Sequence, residues 1–391
     1  MTEKRTQTHG TCDPKFQEVR KQLQDNIDSG EEVGAAIAVN IDGNDVVNLW
    51  GGYTDKERTQ PWTKNTLVTI FSSTKTVLSL AILILVDQKV LSINDKVSKH
   101  WPEFAANGKE DIEIRHILSH TSGVSGWDAD GPLSFEEISD LDAAAAKLAT
   151  QAPWWEPGTA SGYHSFTFGH LLAAIVRRAM GTTLRDFIME EIVKPLGADF
   201  HFGVSDKELP RTTDVISAPM PPLGPGMGPQ PGSITFKTMN PMPFPSDFAN
   251  GPTWRQGDIL AGSGHANAYA LTRILSIISL GGSVDGKRFL SQDTINLIFE
   301  QQSNGVDLVM GVPMRFGIGF GITGEGGTAV ADFLPNGRIC FWAGLGGSFV
   351  VMDLDKKITI AYVMNKLSMS SLGNNAAKSY IRAIYKALKE Q

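Results

Sequence analysis

Ser72 and Lys75 stand three residues apart at the head of "TIFSSTKTVLSLAILILVDQ", Thr69 to Gln88. At the start of a helix that spacing puts both side chains on one face, within reach of each other. A serine hydroxyl needs a base before it can attack a carbonyl, and a lysine serves as one when burial lowers its pKa enough to leave it neutral. The apolar run from Val77 to Val86 predicts such burial. Helix stability does not ask for the lysine. One hydroxyl, from Ser72 or Ser73, would cap the free amides, and a cation in the first turn opposes the helix dipole. Alone the pair says little, because a chain this rich in Ser and Lys contains about one S-x-x-K by chance.

Two further stretches supply what a serine nucleophile lacks. In "WWEPGTASGYHSFTFGHLL" a turn at Pro157 and Gly158 leads to Tyr163, His164 and Ser165 just before a predicted helix. A phenol there could share or relay the proton taken from Ser72. In "FWAGLGGS", Phe341 to Ser348, glycines interrupt a strand pattern, which marks a bulge or the close approach of another backbone. A strand edge beside Ser72 would offer one backbone N–H to an oxyanion, the amide of Ser72 being the other.

Competing chemistries find less support. His116 and His120 in "RHILSH" have metal-like spacing, but no glutamate follows the first and no third ligand is evident, so they read as structural residues near a helix end. There is no G-x-S-x-G and no G-x-x-x-x-G-K; Gly319 and Gly321 in "RFGIGFGI" read as strand glycines. The 391 residues carry a formal net charge of -7, which leaves no basic footprint for nucleic acid or an anionic membrane. Cys12 and Cys340 form no disulfide framework, and "MTEKRTQTHG" lacks an apolar signal core, so the expectation is a soluble, cytoplasmic protein. No metal or other cofactor is expected.

The elements that must position these groups follow from periodicity. "FQEVRKQLQDNIDSG" has helical spacing and stops at Gly30, and two apolar runs around Asp42-Gly43 predict a hairpin. Near the other end "TAVADFL", "ICFWAGLGGSFVVMDL" and "ITIAYVMN" read as three successive antiparallel strands, followed by a helix over 374–389. Helical patterns fill the middle, up to a Pro- and Met-rich stretch over 210–255. A loop this long suits a functional wall, and its Met and Phe content favours packing over a pocket. The predicted fold is α+β, an antiparallel sheet flanked by helices. Residues 1–71 and 256–391 would form the sheet subdomain, with 72–255 as an inserted helical subdomain.

Taken together and in this order, the three motifs resemble the serine beta-lactamase and penicillin-binding-protein superfamily, with its S-x-x-K, Y-x-N and K-T-G signature. The similarity is greatest to family VIII carboxylesterases and class C beta-lactamase-like hydrolases, and runs from about Val33 to Asn365. "LVTIFSSTKTV", "IEIRHILSHTSGV", "PGTASGYHSFTFGHLL" and "AYVMN" carry it. The resemblance implies a beta-lactamase/transpeptidase-like fold, with Ser72 as nucleophile, Lys75 as its partner, Tyr163 as general base and Leu345 as donor of the second oxyanion N–H. Two departures stand out. Ser165 replaces the asparagine of Y-x-N, and Trp342, Ala343 and Gly344 occupy the K-T-G positions. The missing groups ordinarily grip a beta-lactam, so the expected substrate is a small carboxylic ester, cleaved through an acyl-enzyme. A transesterase acting on a natural-product scaffold shares that intermediate, and a catalytically inactive binding protein is the alternative of another class. Expected pocket residues are Ser165, Trp342, Gly344, Trp127 and Trp155, with Met239, Met242 and Phe244 from the long loop.

Overall fold

A computed structural model describes residues 7–128, 133–217, 228–239, 247–370 and 372–389. Among these, nine strands form one antiparallel sheet. They are β1 (His9–Cys12), β2 (Gly34–Ile41), β3 (Asn44–Gly52), β4 (Ser303–Val306), β5 (Pro313–Phe316), β6 (Gly321–Ile322), β7 (Ile339–Ala343), β8 (Phe349–Asp353) and β9 (Ile358–Met364). Their spatial order is β1-β3-β2-β9-β8-β7-β6-β5-β4. The two ends of the chain meet at its centre, where Ala38 of β2 pairs with Ala361 of β9.

The β2–β3 hairpin turns where predicted. Asp42 (φ 48°) and Gly43 (φ 84°) both take the positive φ that a tight two-residue hairpin turn requires. Successive residues of β2 and β9 are buried, so the sheet is covered on both faces. The longer helices are α1 (Gln17–Ser29), α2 (Thr74–Asp87), α3 (Thr167–Met180), α4 (Ala268–Ser279) and α5 (Asn375–Lys389). α4 packs on β2, β8 and β9, and α1 packs on β3 and α5. α1 ends at Gly30 in the left-handed conformation, as expected, and α4 starts with Asn267 capping the amide of Ala270.

One strand assignment is corrected. "TAVADFL" is not a strand. Residues 328–334 form tight turns in which the amides of Phe333 and Leu334 both bond to the Val330 carbonyl. Its buried residues, Val330, Phe333 and Leu334, follow an i, i+3, i+4 spacing, which a short alternating window does not separate from period two. The third strand arises instead because "ICFWAGLGGSFVVMDL" divides into β7 and β8, with a turn over Leu345–Gly347 between them.

α2 is buried at every position from Thr74 to Leu85 and packs against α3. Its start is fixed by a small sheet joining Val68–Thr69, His265–Ala266 and Phe200–His201. The end of β7 abuts the same turn. No described helix is long and apolar enough to cross a membrane.

Candidate active site

The chain reaches Ser72 through Phe71, whose φ of 46° is left-handed and strained for an aromatic residue. That bend, held by the Thr74 hydroxyl donating to the Phe71 carbonyl at 2.5 Å, sets Ser72 at the threshold of α2. Lys75 lies one turn on and is 2% exposed. Its Nζ is 3.1 Å from Ser72 Oγ and donates to the carbonyls of Ser165 at 2.7 Å and Ala261 at 2.9 Å. Burial drives its pKa well below the ordinary lysine value, and the positive end of α2 acts in the same direction. A neutral amine has two hydrogens and one lone pair. With both hydrogens taken by the carbonyls, the lone pair is left for the Ser72 hydroxyl.

Tyr163 completes the group. Lys75 Nζ sits 4.9 Å from its ring centroid. Burial pushes the phenol pKa up, against the smaller opposing influence of Ser72 and Trp342. Tyr163 is therefore a neutral phenol at rest, and no described residue gives its Oη a hydrogen bond of ordinary geometry. The ring packs against Trp342 (5.2 Å between centroids) and His120 (5.0 Å). Its backbone is pinned from a distant loop, where Asp307 Oδ1 accepts from the amides of Tyr163, Val309 and Met310 at 3.1, 2.9 and 2.9 Å.

The turn after β7 brings Leu345 to the same cavity as Ser72. Neither the Ser72 nor the Leu345 amide donates to another described residue, which leaves both for an oxyanion. Gly344 is required by contact. A Cβ there would lie 2.3 Å from the Ile70 carbonyl oxygen and 2.3 Å from Ser348 Oγ. Ser348 ties the two turns together, its hydroxyl donating to the Ile70 carbonyl at 3.0 Å with Ser73 Oγ also 3.0 Å away.

In front of Ser72 lies a cavity of about 440 Å³. Ser165 and Trp342 line it as expected, and so does Met239, at the end of the helix Ile234–Met239; Leu345 lines it too. Gly344 stands behind the wall, between Ala343 and Leu345, which do line it. Met242 and Phe244 lie outside the described residues. Trp127 and Trp155 do not line this cavity. Trp127 is buried, with its indole N–H on the Ala144 carbonyl at 2.9 Å and its edge against His170. Trp155 bonds the Ala160 carbonyl and borders a separate polar depression beside His116, Glu110 and Asp111. Both belong to loops the fold directs away from Ser72, a displacement no local pattern encodes.

His116 and His120 also part company. His116 caps a short helix, its Nδ1 accepting from the Glu113 amide, whereas His120 is buried behind Tyr163 and Trp342 with its pKa well below normal. Among the described residues no group of three His, Cys, Asp or Glu could hold a metal. The sequence reasoning missed Asp307, Ser348, Ala261 and the aromatic pair Phe248 and Trp254. Only Ser348 carried a signal, as the residue closing the Gly-Gly turn.

Comparison with known proteins bears on the family and the fold. The family model described as "Beta-lactamase" matches residues 19–381. Esterase/beta-lactamase LipL of Mycobacterium tuberculosis is 28% identical over 376 residues, spanning 92% of this chain and 83% of that protein. A crystal structure of a family VIII carboxylesterase superposes with a TM-score of 0.89 at 30% identity, covering 97% of this chain and 100% of that one. A penicillin-binding protein homologue from Caulobacter crescentus gives 0.88 at 34% identity, covering 97% and 99%. The protein is thus a serine hydrolase of beta-lactamase/transpeptidase-like fold, and the chain belongs to the beta-lactamase family.

Proposed function

We propose that the protein hydrolyses carboxylic esters through an acyl-enzyme on Ser72. The observation that carries this is the placement of Lys75 Nζ, with two carbonyls as fixed acceptors and Ser72 Oγ as its third neighbour. Ser72 Oγ attacks the ester carbon while its proton passes to Lys75, directly or with Tyr163 as relay; the Ser72 and Leu345 amides hold the oxyanion. The tetrahedral adduct collapses, the C–O bond to the alcohol breaks, and the proton is returned to the leaving oxygen through Tyr163. Water repeats the sequence and releases the acid. The general base is then the Lys75–Tyr163 pair, since a neutral phenol accepts a proton only as it gives its own to the amine.

Ser165 and Trp342 replace polar groups that grip a lactam, and no Asp, Glu, Lys, Arg or His side chain lines the cavity among the described residues. That favours esters over the carboxylate-bearing beta-lactams. Intact-protein mass spectrometry with a fluorophosphonate tests the nucleophile: one adduct at Ser72 is expected, and labelling elsewhere refutes it. Steady-state rates on p-nitrophenyl acetate and nitrocefin should differ by orders of magnitude in favour of the ester, and comparable efficiencies would count against the substrate class. Adding an alcohol in the same assay reveals whether the acyl group also passes to an acceptor other than water.

A further inference from the structure

We propose that the acid half of the substrate is an uncharged, flat aromatic acyl group, held in a preformed aromatic slot, and that the alcohol half meets a separate, adaptable aliphatic wall. This rests on the proposed Ser72 acyl-enzyme.

Four aromatic residues of the cavity lining form one cluster. Phe248 meets Trp254 edge to face at 4.9 Å and 89°, Phe71 lies 5.7 Å from Trp254, and Phe166 lies 6.4 Å from it. The cluster is held from behind. Trp254 Nε1 donates to Thr69 Oγ1 at 2.9 Å, and Phe248 stacks on Phe135 at 5.2 Å and 9°. A Cβ at Gly262 would come 3.0 Å from the Trp254 ring, so the bare position there gives the ring its room. Side chains locked in this way favour a rigid planar guest, whose face and edge match theirs without further ordering.

The other side of the cavity differs in kind. Met239, Val309, Met310 and Leu345 are aliphatic or thioether groups, suited to guests of varied shape. Tyr163 decides which half of the ester goes where. The leaving alcohol must lie beside the Tyr163 Oη that protonates it. Val309 and Met310 are bound to the Tyr163 backbone through Asp307, and Trp342 packs on its ring. The alcohol therefore faces this wall, and the acyl group is left to the slot, which opens from Phe71, the residue preceding the nucleophile.

The described lining also disfavours a charged acyl group. Among the described residues the lining holds no ionisable side chain beyond Tyr163, and the sequences "APMPPLGPGM" (218–227) and "NPMPFPS" (240–246) contain none. A carboxylate in the slot would be desolvated without a partner.

The test is a set of methyl esters with the alcohol held constant: phenylacetate, cyclohexylacetate, hexanoate and monomethyl succinate. Phenylacetate should exceed cyclohexylacetate, its non-planar counterpart, by about tenfold in kcat/KM. Monomethyl succinate should be slower than hexanoate by about a hundredfold or more. Phe248→Leu should collapse the phenyl-to-cyclohexyl ratio toward one. Met310→Ala should keep that ratio while changing the preference among methyl, butyl and benzyl phenylacetates. Equal or better turnover of cyclohexylacetate, efficient cleavage of monomethyl succinate, or an acid preference that moves with Met310 and not with Phe248 would each overturn the assignment. The wild-type series decides even if a variant fails to fold. Fluorophosphonate labelling, run alongside, separates the two levels: a Ser72 adduct with the wrong acid preference refutes the slot alone, whereas turnover without that adduct refutes the acyl-enzyme beneath it.

Discussion

Replacing Gly344 by alanine should disable the enzyme far more than it destabilises the fold. The added Cβ would stand 2.3 Å from the Ile70 carbonyl oxygen, 2.3 Å from Ser348 Oγ and 3.2 Å from Phe71 Cβ. Ordinary contact needs about 3.4 Å or more, so the strand end and the nucleophile turn must part by roughly an ångström. Neither partner can yield freely. Ile70 is backbone, its carbonyl fixed by Ser348 and its amide by the Gly264 carbonyl at 2.9 Å. Overpacking of this kind costs about 1–3 kcal/mol. For 391 residues the entropy of unfolding is large enough that this lowers Tm by only a few degrees, roughly 1 °C per kcal/mol. Separating the Leu345 amide from Ser72 by a similar distance removes an oxyanion donor, worth about 10²–10³ in kcat. The assay is kcat/KM on a p-nitrophenyl ester at 25 °C, with a thermal melt and the rate of fluorophosphonate labelling. A variant retaining activity within about threefold of wild type would refute the argument that Leu345 serves the oxyanion through this contact. So would a loss of activity that merely tracks the fraction unfolded.

Other consequences are simpler to test. Ser72→Ala should abolish turnover and covalent labelling with the melt nearly unchanged, because only a partly exposed hydroxyl is lost. Lys75→Ala and Tyr163→Phe should each slow acylation by about a hundredfold or more in stopped-flow assays; near-normal rates in either would remove that residue from the proton path. In kcat/KM against pH, activity should fall on the acid side as Lys75 gains a proton, at a pH well below the usual lysine range, since burial lowers its pKa. No alkaline limb should come from Tyr163, whose pKa burial raises. Glu32 gives a stability counterpart. Its buried carboxyl accepts from Tyr380 at 2.7 Å and from Tyr362, and desolvation lifts its pKa to about 7. The folded protein then holds a proton that the unfolded chain releases above about 4.5, so this group's contribution to stability declines as pH rises from 4.5 to 7. Melts of wild type and Glu32→Gln should therefore differ in slope across that window, and parallel curves would contradict the assignment.

What the sequence determined by itself is local. The reach of Lys75 to Ser72 follows from three residues on one helix, the β2–β3 turn from Asp42-Gly43 and the end of α1 from Gly30; each is set by backbone geometry over a few residues. The ordered trio of motifs was legible too, because each is a short string whose residue types are demanded by the chemistry. The tertiary structure decided everything that depends on which distant segments meet. The carbonyls that hold Lys75 belong to residues 90 and 186 positions away, and the carboxylate that fixes the Tyr163 loop lies 144 positions on. No periodicity records such pairings. For the same reason three tryptophans expected at one pocket ended in three places: Trp342 on the cavity, Trp127 in the core and Trp155 on another depression. Hydrophobicity tells a side chain to leave water, and only the packing of the whole chain tells it whether the dry place it finds is a core or a binding site.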